Sequence, residues 1–348
     1  MSPKKHIKVK FLGTYYQGEA YKRHNLYPIL NEHFDLEVCD DPDFVIATSL
    51  DKPFNWCNYD CVRVLFTGEN YSPDFNVFDY AVTSDDIHFG DRFYRYQQFN
   101  DKGWAVAASK KHIDVPDDLL SQKQYFCDFI YKNGNGQPGR EAMFHKLNAY
   151  KRVESGGTWL NNMPGGRVIG WPDEKQEFQK LCKFTIAIDS IQYPGFITEK
   201  ITNAFMNRTI PIYLGAPDVE TIFNPKAFIN CANFETLDDM VEYVKFLDNN
   251  DEAYMAMMRE PAFLDPDFAQ KTYDGLVEWA LHVFSQDPSE AIRRYPTSFS
   301  QKAHLEQLQC VQKYYDILEN RPIPRIKRFA KKCLSGNIYE KIKKFLKK

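Results

Sequence analysis

The stretch K-F-T-I-A-I-D-S-I-Q-Y-P-G-F-I-T-E-K-I-T-N-A-F-M-N-R-T-I-P-I-Y-L-G, Lys183 to Gly215, reads as strand, turn, helix and strand. Phe184 to Ile188 is a short apolar run of the length and branching that suit a buried strand. Tyr193, Pro194 and Gly195 punctuate a turn. Thr198 reads as a helix N-cap, with Glu199 and Lys200 in the first turn behind it. Ile201, Ala204 and Phe205 then share one helix face, and Ile210 to Leu214 is the next buried strand. Such a βαβ unit sets a loop at the carboxyl end of a strand beside a helix N-terminus, where α/β proteins hold anionic ligands.

The same alternation extends in both directions. Towards the N-terminus, His6 to Tyr16, Asp35 to Val38, Asp43 to Thr48, Val62 to Phe66 and Tyr80 to Val82 are strand candidates, and Tyr27 to Phe34 is a short amphipathic helix. Val62 to Phe66 runs directly into T-G-E-N, Thr67 to Asn70. Lys110 to Gln124 is polar, contains Pro116 and reads as a hinge. Beyond it Tyr125 to Tyr131 is a strand, Asn133 to Gly139 a loop, and a helix begins at Arg140. Another helix covers Glu174 to Leu181. After Gly215, Thr236 to Asp239 resembles a capping box and opens a helix. Phe268 to Phe284 is a long amphipathic helix. Strands and helices alternating across short connections predict an α/β fold with parallel sheets. The expected division is 1–118, 119–300 and a helical basic tail, 301–348.

With 348 residues, 43% of them hydrophobic and 26% charged, the chain has the composition of a globular protein of about two domains. The net charge of −3 is unevenly spread. Residues 321–348 hold eleven Lys or Arg against Glu340, a local charge of +10, which leaves −13 on the preceding 320. Ile338, Ile342, Phe345 and Leu346 share a side of that tail, the pattern of a helix lying on an anionic membrane surface. No groove-reading motif accompanies the charge, so nucleic acid is not an expected partner. Cys57 and Cys61 are close, but no second pair completes a zinc site, and the eight scattered thiols fit a reducing compartment. Asp85-Asp86 and Asp40-Asp41-Pro42-Asp43 lack the glutamate spacing of a calcium loop. No run of 18 apolar residues exists. The expected location is cytoplasmic, peripheral to the inner face of a membrane.

Three blocks carry a resemblance to a known family. They are Phe66 to Val82 (F-T-G-E-N-Y-S-P-D-F-N-V-F-D-Y-A-V), Asn135 to Gly157 (from N-G-Q-P-G-R-E-A-M-F-H-K-L to R-V-E-S-G-G), and Phe184 to Gly215. In this order they resemble the α1,3-fucosyltransferases of glycosyltransferase family ten, and among these the bacterial members that make Lewis-type antigens, enzymes of lipopolysaccharide and protein glycosylation. The resemblance implies a GT-B type fold, two Rossmann-like domains facing across a cleft. It implies inverting transfer of L-fucose from GDP-β-L-fucose to a GlcNAc hydroxyl of an N-acetyllactosamine-type acceptor in α1,3 linkage, a Lewis x type product, with no metal cofactor required.

On this resemblance Glu69, in T-G-E-N, matches the general base that takes the acceptor proton. Arg140 and Lys200 match the diphosphate contacts, a planar fork and a point charge. Glu199 matches the carboxylate that receives ribose or fucose hydroxyls. Two positions depart from the family pattern. Asp189-Ser190 stands where Glu-Asn is usual, and Phe196 stands where Tyr is usual, with Tyr193 nearby to supply the lost hydroxyl; Asp189, Tyr193 and Phe196 are therefore also expected in the donor pocket. These departures leave open a GT-B transferase using another nucleotide sugar, or an inactive glycan-binding relative. His88 and His145 lie near the matched blocks, but surface or core roles fit them better than catalysis.

Overall fold

The computed structural model of the chain describes residues 3–13, 16–49, 54–97, 99, 103–137, 139–294 and 299–320. The tail, 321–348, lies outside them. Among the described residues eleven strands lie in two sheets. The first holds β1 (His6–Phe11), β2 (Asp35–Val38), β3 (Phe44–Ala47), β4 (Val62–Phe66), β5 (Tyr80–Thr83) and β6 (Phe93–Arg95), in the order β2-β1-β3-β4-β5-β6. The second holds β7 (Tyr125–Asp128), β8 (Val153–Glu154), β9 (Cys182–Ile188), β10 (Ile210–Leu214) and β11 (Ile229–Asn230), in the order β11-β10-β9-β7-β8. The second sheet is parallel throughout. Its order reverses direction between β7 and β9, the doubly wound pattern whose crevice for ligands opens at that reversal.

The helices are α1 (Leu26–His33), α2 (Trp104–Ser109), α3 (Gly139–Tyr150), α4 (Asp173–Lys180), α5 (Glu199–Met206), α6 (Leu237–Asp248), α7 (Asp251–Arg259), α8 (Phe268–Phe284), α9 (Pro288–Ala291) and α10 (Phe299–Asn320). The capping box expected at α6 forms: Thr236 Oγ1 accepts from the Asp239 N–H, and Asp239 accepts in return from the Thr236 N–H. No described helix is long and apolar enough to cross a membrane.

Strands buried on both faces need apolar side chains in both directions, which is why Phe44 to Ala47 reads as a continuous apolar run and is buried, while the buried stretches Val62 to Leu65 and Phe184 to Ile188 are apolar except at Arg63 and Thr185. Met143, Leu147, Phe184, Ile186, Ile210, Ile212, Met240, Val244 and Tyr254 close one face of the second sheet. Ile197, Ile201, Phe205, Tyr213, Phe223 and Phe263 close the other.

The contacts divide the chain into two units. One contains the described residues up to Phe66, Pro73–Tyr80, and the described residues from Phe284 on; the other contains Thr67–Ser72 and Ala81–Val283. This differs from the division expected from sequence, because long-range polar anchors decide it. The N–H groups of Arg293 and Arg294 donate to the buried Asp79 carboxylate at 2.8 and 3.0 Å, and Arg294 pairs with that carboxylate and donates to the Cys61 carbonyl at 2.9 Å. The chain after α8 is thereby returned to the first unit. The stretch 110–124, expected as a hinge, is fastened inside the second. Lys111 donates to the carbonyls of Met257 and Met258, and Lys123 to those of Lys180 and Arg208.

The first strand stops at Phe11, short of Tyr16, because the chain turns there into a short 3-10 helix over Gly18–Arg23. Aromatic residues from the ends of β1 and β4 and from the stretch before this helix gather around His24, which is 2% exposed. Phe11, Tyr16 and Phe66 lie with ring centroids at 5.1, 5.0 and 4.8 Å from its imidazole. The Leu26 N–H donates to His24 Nδ1 at 3.1 Å. Burial pulls the imidazole down to about 3 from an ordinary 6.5. The unfolded chain therefore binds the extra proton between these values, and stability present above pH 6.5 is lost as pH falls towards 3. Between pH 6.5 and 5 this amounts to about 1.5 kcal/mol. Urea unfolding at the two pH values should show this loss, and His24→Gln should reduce it; an equal pH dependence in the variant refutes the assignment.

Candidate active site

The site of the second unit is built where the sheet order reverses. The chain leaving β7 reaches α3, whose first turn carries Arg140. The chain leaving β9 passes Asp189 and the Tyr193-Pro194-Gly195 turn to α5, whose first turn carries Glu199 and Lys200. Each helix thus presents its N-terminus at the carboxyl end of a strand. Unpaired N–H groups and the positive end of the helix dipole favour an anion there.

Asp189 is the anchor of this arrangement. It is fully buried, and its carboxylate accepts from the Thr198 hydroxyl, from Tyr213 OH at 2.9 Å and from the Thr198 N–H at 3.4 Å. Lys200 Nζ lies 3.5 Å from Asp189 Oδ1 and donates to Thr198 Oγ1 at 2.9 Å. Burial pushes the carboxyl of Asp189 up, while Lys200 and the hydroxyls oppose that shift. Thr198 occupies the N-cap position expected of it, but its side chain makes no capping bond: it is spent on Asp189 and Lys200. Gly215, after β10, passes close to this group. A Cβ there would stand 2.2 Å from Tyr213 OH and 2.8 Å from an Asp189 oxygen.

Lys200 and Glu199 are 22% and 20% exposed, and their charged ends lie 3.9 Å apart. Burial drives the Lys200 ammonium down, but Glu199 and Asp189 more than offset this, leaving it above its ordinary range. Glu199 is pushed up by burial and pulled below its ordinary range by Lys200 and Lys175. Both side chains are thus held charged with a face open to solvent.

Arg140 is 4% exposed. Its guanidinium lies 4.3 Å above the Tyr131 ring and donates to the carbonyls of Ile188 at 3.2 Å and Asn135 at 3.5 Å. It forms no ion pair, and its Nε has no hydrogen-bond partner, among the described residues. A buried cation with a free donor is costly unless something pairs with it.

The structure therefore brings together Arg140, Asp189, Glu199 and Lys200, and gives Tyr193 and Phe196 other work. The Tyr193 hydroxyl donates to Asp85 at 3.1 Å. Phe196 is 3% exposed, its ring taken into the interior rather than left open for stacking. Asp189 supports Lys200 and Thr198 from behind. Glu69 is half-buried in the loop after β4, with its N–H donating to Thr67 Oγ1 at 3.1 Å.

Lys175, on α4, was not legible. It is buried and faces Glu199 and Asp128, yet makes no hydrogen bond or ion pair to either among the described residues. Burial lowers its ammonium below the ordinary range. Beside it Asp128 is pushed up to about 6, mainly by burial. These two, with Thr185, Gln179 and Lys200, line a cavity of about 10 Å³, close to the size needed for one water. In sequence, Lys175 and Gln179 look like the solvated face of a charged helix, and no local pattern separates them from their neighbours. The acidic runs are absorbed elsewhere: Lys8 pairs with Asp41 at 3.1 Å, and Lys10 with Asp40. His145 sits on the surface beside Glu141.

The chain is similar to known proteins over most of its length. Residues 120–262 match the profile of glycosyltransferase family 10 (fucosyltransferase), C-terminal part, and residues 9–101 match that of the alpha-(1,3)-fucosyltransferase FucT N-terminal domain. The chain is 31% identical over 277 residues to alpha-(1,3)-fucosyltransferase FucT of Helicobacter pylori, covering 70% of this chain and 57% of that protein. It is 26% identical over 171 residues to 4-galactosyl-N-acetylglucosaminide 3-alpha-L-fucosyltransferase FUT6 of Homo sapiens, covering 48% of this chain and 45% of that one. The chain thus spans about half the length of these curated relatives. A crystal structure of an alpha1,3-fucosyltransferase with GDP-fucose superposes with a TM-score of 0.62 at 28% identity, covering 80% of this chain and 92% of that one. The expected GT-B type α/β fold is the fold of this chain.

Because Tyr213 supplies one of the hydroxyls that satisfy the buried Asp189, Tyr213→Phe should cost about 1.5–3 kcal/mol of stability. Urea unfolding at neutral pH measures this, and a loss below about 0.5 kcal/mol would show that the hydroxyl does not support the carboxylate.

Proposed function

The chain belongs to glycosyltransferase family 10, the fucosyltransferases, and on that footing we propose that it is an inverting enzyme moving L-fucose from GDP-β-L-fucose to a GlcNAc hydroxyl. The observation that carries this reading is the charge of the second unit's site. Arg140, Lys175 and Lys200 gather with Asp128, Asp189 and Glu199, and of the three cations Arg140 is buried without a counter-ion among the described residues. A GDP diphosphate supplies the missing negative charge.

In the proposed reaction Glu69 accepts the proton of the acceptor hydroxyl as its oxygen attacks fucose C1. The bond from C1 to the diphosphate oxygen breaks on the opposite face, and GDP leaves with the electron pair. Arg140, Lys200 and the N-terminus of α5 stabilise the charge that grows on the leaving oxygen. Glu199, held ionised, accepts hydrogen bonds from ribose or fucose hydroxyls. These cations meet the leaving group's charge without a metal, and metal-independent turnover is part of the proposal.

For the acceptor we propose an N-acetyllactosamine-type glycan, fucosylated in α1,3 linkage to a Lewis x type product. The supporting feature is a cavity of about 490 Å³ in the first unit, beyond the carboxyl ends of β1 and β2, lined by Phe11, Tyr16, Tyr21, Gln17, Asp40 and Asn55. Aromatic faces with amide and carboxylate groups suit a sugar ring. The basic tail, 321–348, would attach the enzyme to an anionic membrane surface on the strength of its composition.

Incubation with GDP-fucose and N-acetyllactosamine should release GDP and give a fucosylated product whose linkage analysis reads α1,3. Absence of turnover across a donor and acceptor panel refutes the reading. Glu69→Gln should keep GDP-fucose binding and lose about 10²–10⁴ in kcat; near-normal kcat removes Glu69 as the base. Lys200→Ala should weaken GDP by about tenfold or more, and unchanged GDP affinity counts against its role. Activity in EDTA should stay close to that in buffer, whereas complete loss would call for a metal.

A further inference from the structure

Asp85, in the Ser84-Asp85-Asp86 turn after β5, is 3% exposed and takes no part in the chemistry above. Its carboxylate joins three separate stretches of the second unit. Oδ2 accepts from the Thr83 hydroxyl at 2.8 Å. Oδ1 accepts from two hydroxyls at once, Ser72 Oγ at 3.0 Å and Tyr193 OH at 3.1 Å. Ser72 closes the loop that carries Glu69. The other end of that loop is fastened too, since the Thr67 N–H donates to the Val82 carbonyl at 3.1 Å. The four residues Gly68 to Tyr71 are therefore strung between two anchors on β5 and its turn. Tyr193 opens the turn that leads into α5.

A second set of contacts holds that turn in the same place. Gly195 has φ of +82° and lies so close to the Ser84 carbonyl that a Cβ would stand 2.2 Å from its oxygen. Its N–H donates to Asp218 Oδ1 at 2.8 Å. Arg95 bridges Asp218 and Asp86, at 3.0 Å to each. The contacts close a ring through Asp85, Tyr193, Gly195, Asp218, Arg95 and Asp86. A buried carboxylate oxygen shared by two hydroxyls fixes the separation of the chains that bear them, because each donor can move only by leaving a buried charge short of a partner.

We propose that Asp85 is a positioning residue: through one oxygen it fixes the loop of Glu69 against the turn that delivers Glu199 and Lys200. This rests on the reading of Glu69 as base and of α5 as the donor-holding helix. If it is correct, the link matters to transfer, which uses both loops, and not to donor binding, which uses one.

The test compares Ser72→Ala, Tyr193→Phe and the double variant for GDP affinity, for release of GDP from GDP-fucose in water alone, and for transfer to N-acetyllactosamine. Each single change should lower transfer kcat by about tenfold. The double variant should fall little further, because the link through the shared oxygen needs both hydroxyls and is broken by losing either. GDP affinity and water-only release should stay within about twofold in Ser72→Ala. Asp85→Ala should lose transfer more deeply, with Asp85→Asn restoring part of it. Multiplying losses in the double variant, or transfer and water-only release falling together, would show an ordinary structural contact and overturn the proposal. A wild-type chain that binds GDP but transfers no sugar would overturn the functional reading itself, whatever the variants do.

Discussion

A carboxylate removed from water must be met by donors or it will not stay charged, and Asp189 imposes that requirement on everything around it. It lies at the end of β9 with none of its surface exposed. Three features of the chain are its answer: Tyr213 at the end of β10, Thr198 at the start of α5, and Lys200 one turn in. Because the donors come from different elements, their geometry is settled together. The loop from Asp189 to Thr198 must return to its own starting point, so α5 begins at the mouth of the sheet reversal. The shorter Asp side chain at this position reaches its partners because Gly215 leaves room for Tyr213 and the carboxylate to meet.

What the buried carboxylate organises is a site in which one buried cation, Arg140, lacks a counter-ion among the described residues. Lys200 and Lys175 are matched by Glu199, Asp189 and Asp128, but Arg140 has carbonyl oxygens and an aromatic ring for company instead of a counter-ion among the described residues. Desolvated cations raise the free energy of the empty protein and lower it when an anion arrives. The same low dielectric that makes the empty site costly strengthens its hold on a diphosphate. Lys175 contributes from within, keeping Glu199 ionised without reaching it by hydrogen bond.

Much of this was legible beforehand, for identifiable reasons. The strands of both sheets announced themselves because burial on two faces favours apolar side chains on both, as in Val62 to Phe66 and Phe184 to Ile188, where only Arg63 and Thr185 are polar. Arg140, Glu199 and Lys200 were expected from the family resemblance, and what the local sequence added was their place in the first turns of helices, where the structure has them. Tyr193 and Phe196 were assigned to the donor pocket by their place in a matched block, but residue type does not say where a side chain points: one hydroxyl turned to Asp85 and one ring turned inward. Lys175 gave no signal because a helix of charged residues looks the same whether or not one face meets a sheet. The expected hinge at 110–124 failed for a related reason, since its lysines find carbonyl partners more than fifty residues away.

Legible in the order of amino acids were the strands, turns, helix starts, the family, and the charged residues at the α3 and α5 N-termini. These depend on interactions within a few residues, whose periodicity and capping the order of amino acids encodes directly. The tertiary structure alone decided which chain segments share a unit and which polar groups share a partner. Asp79 drawing back Arg293 and Arg294, and Asp85 joining Ser72 to Tyr193, are contacts across 215 and 108 residues. Burying a charge sets their cost, and that cost is fixed only once packing has removed the water.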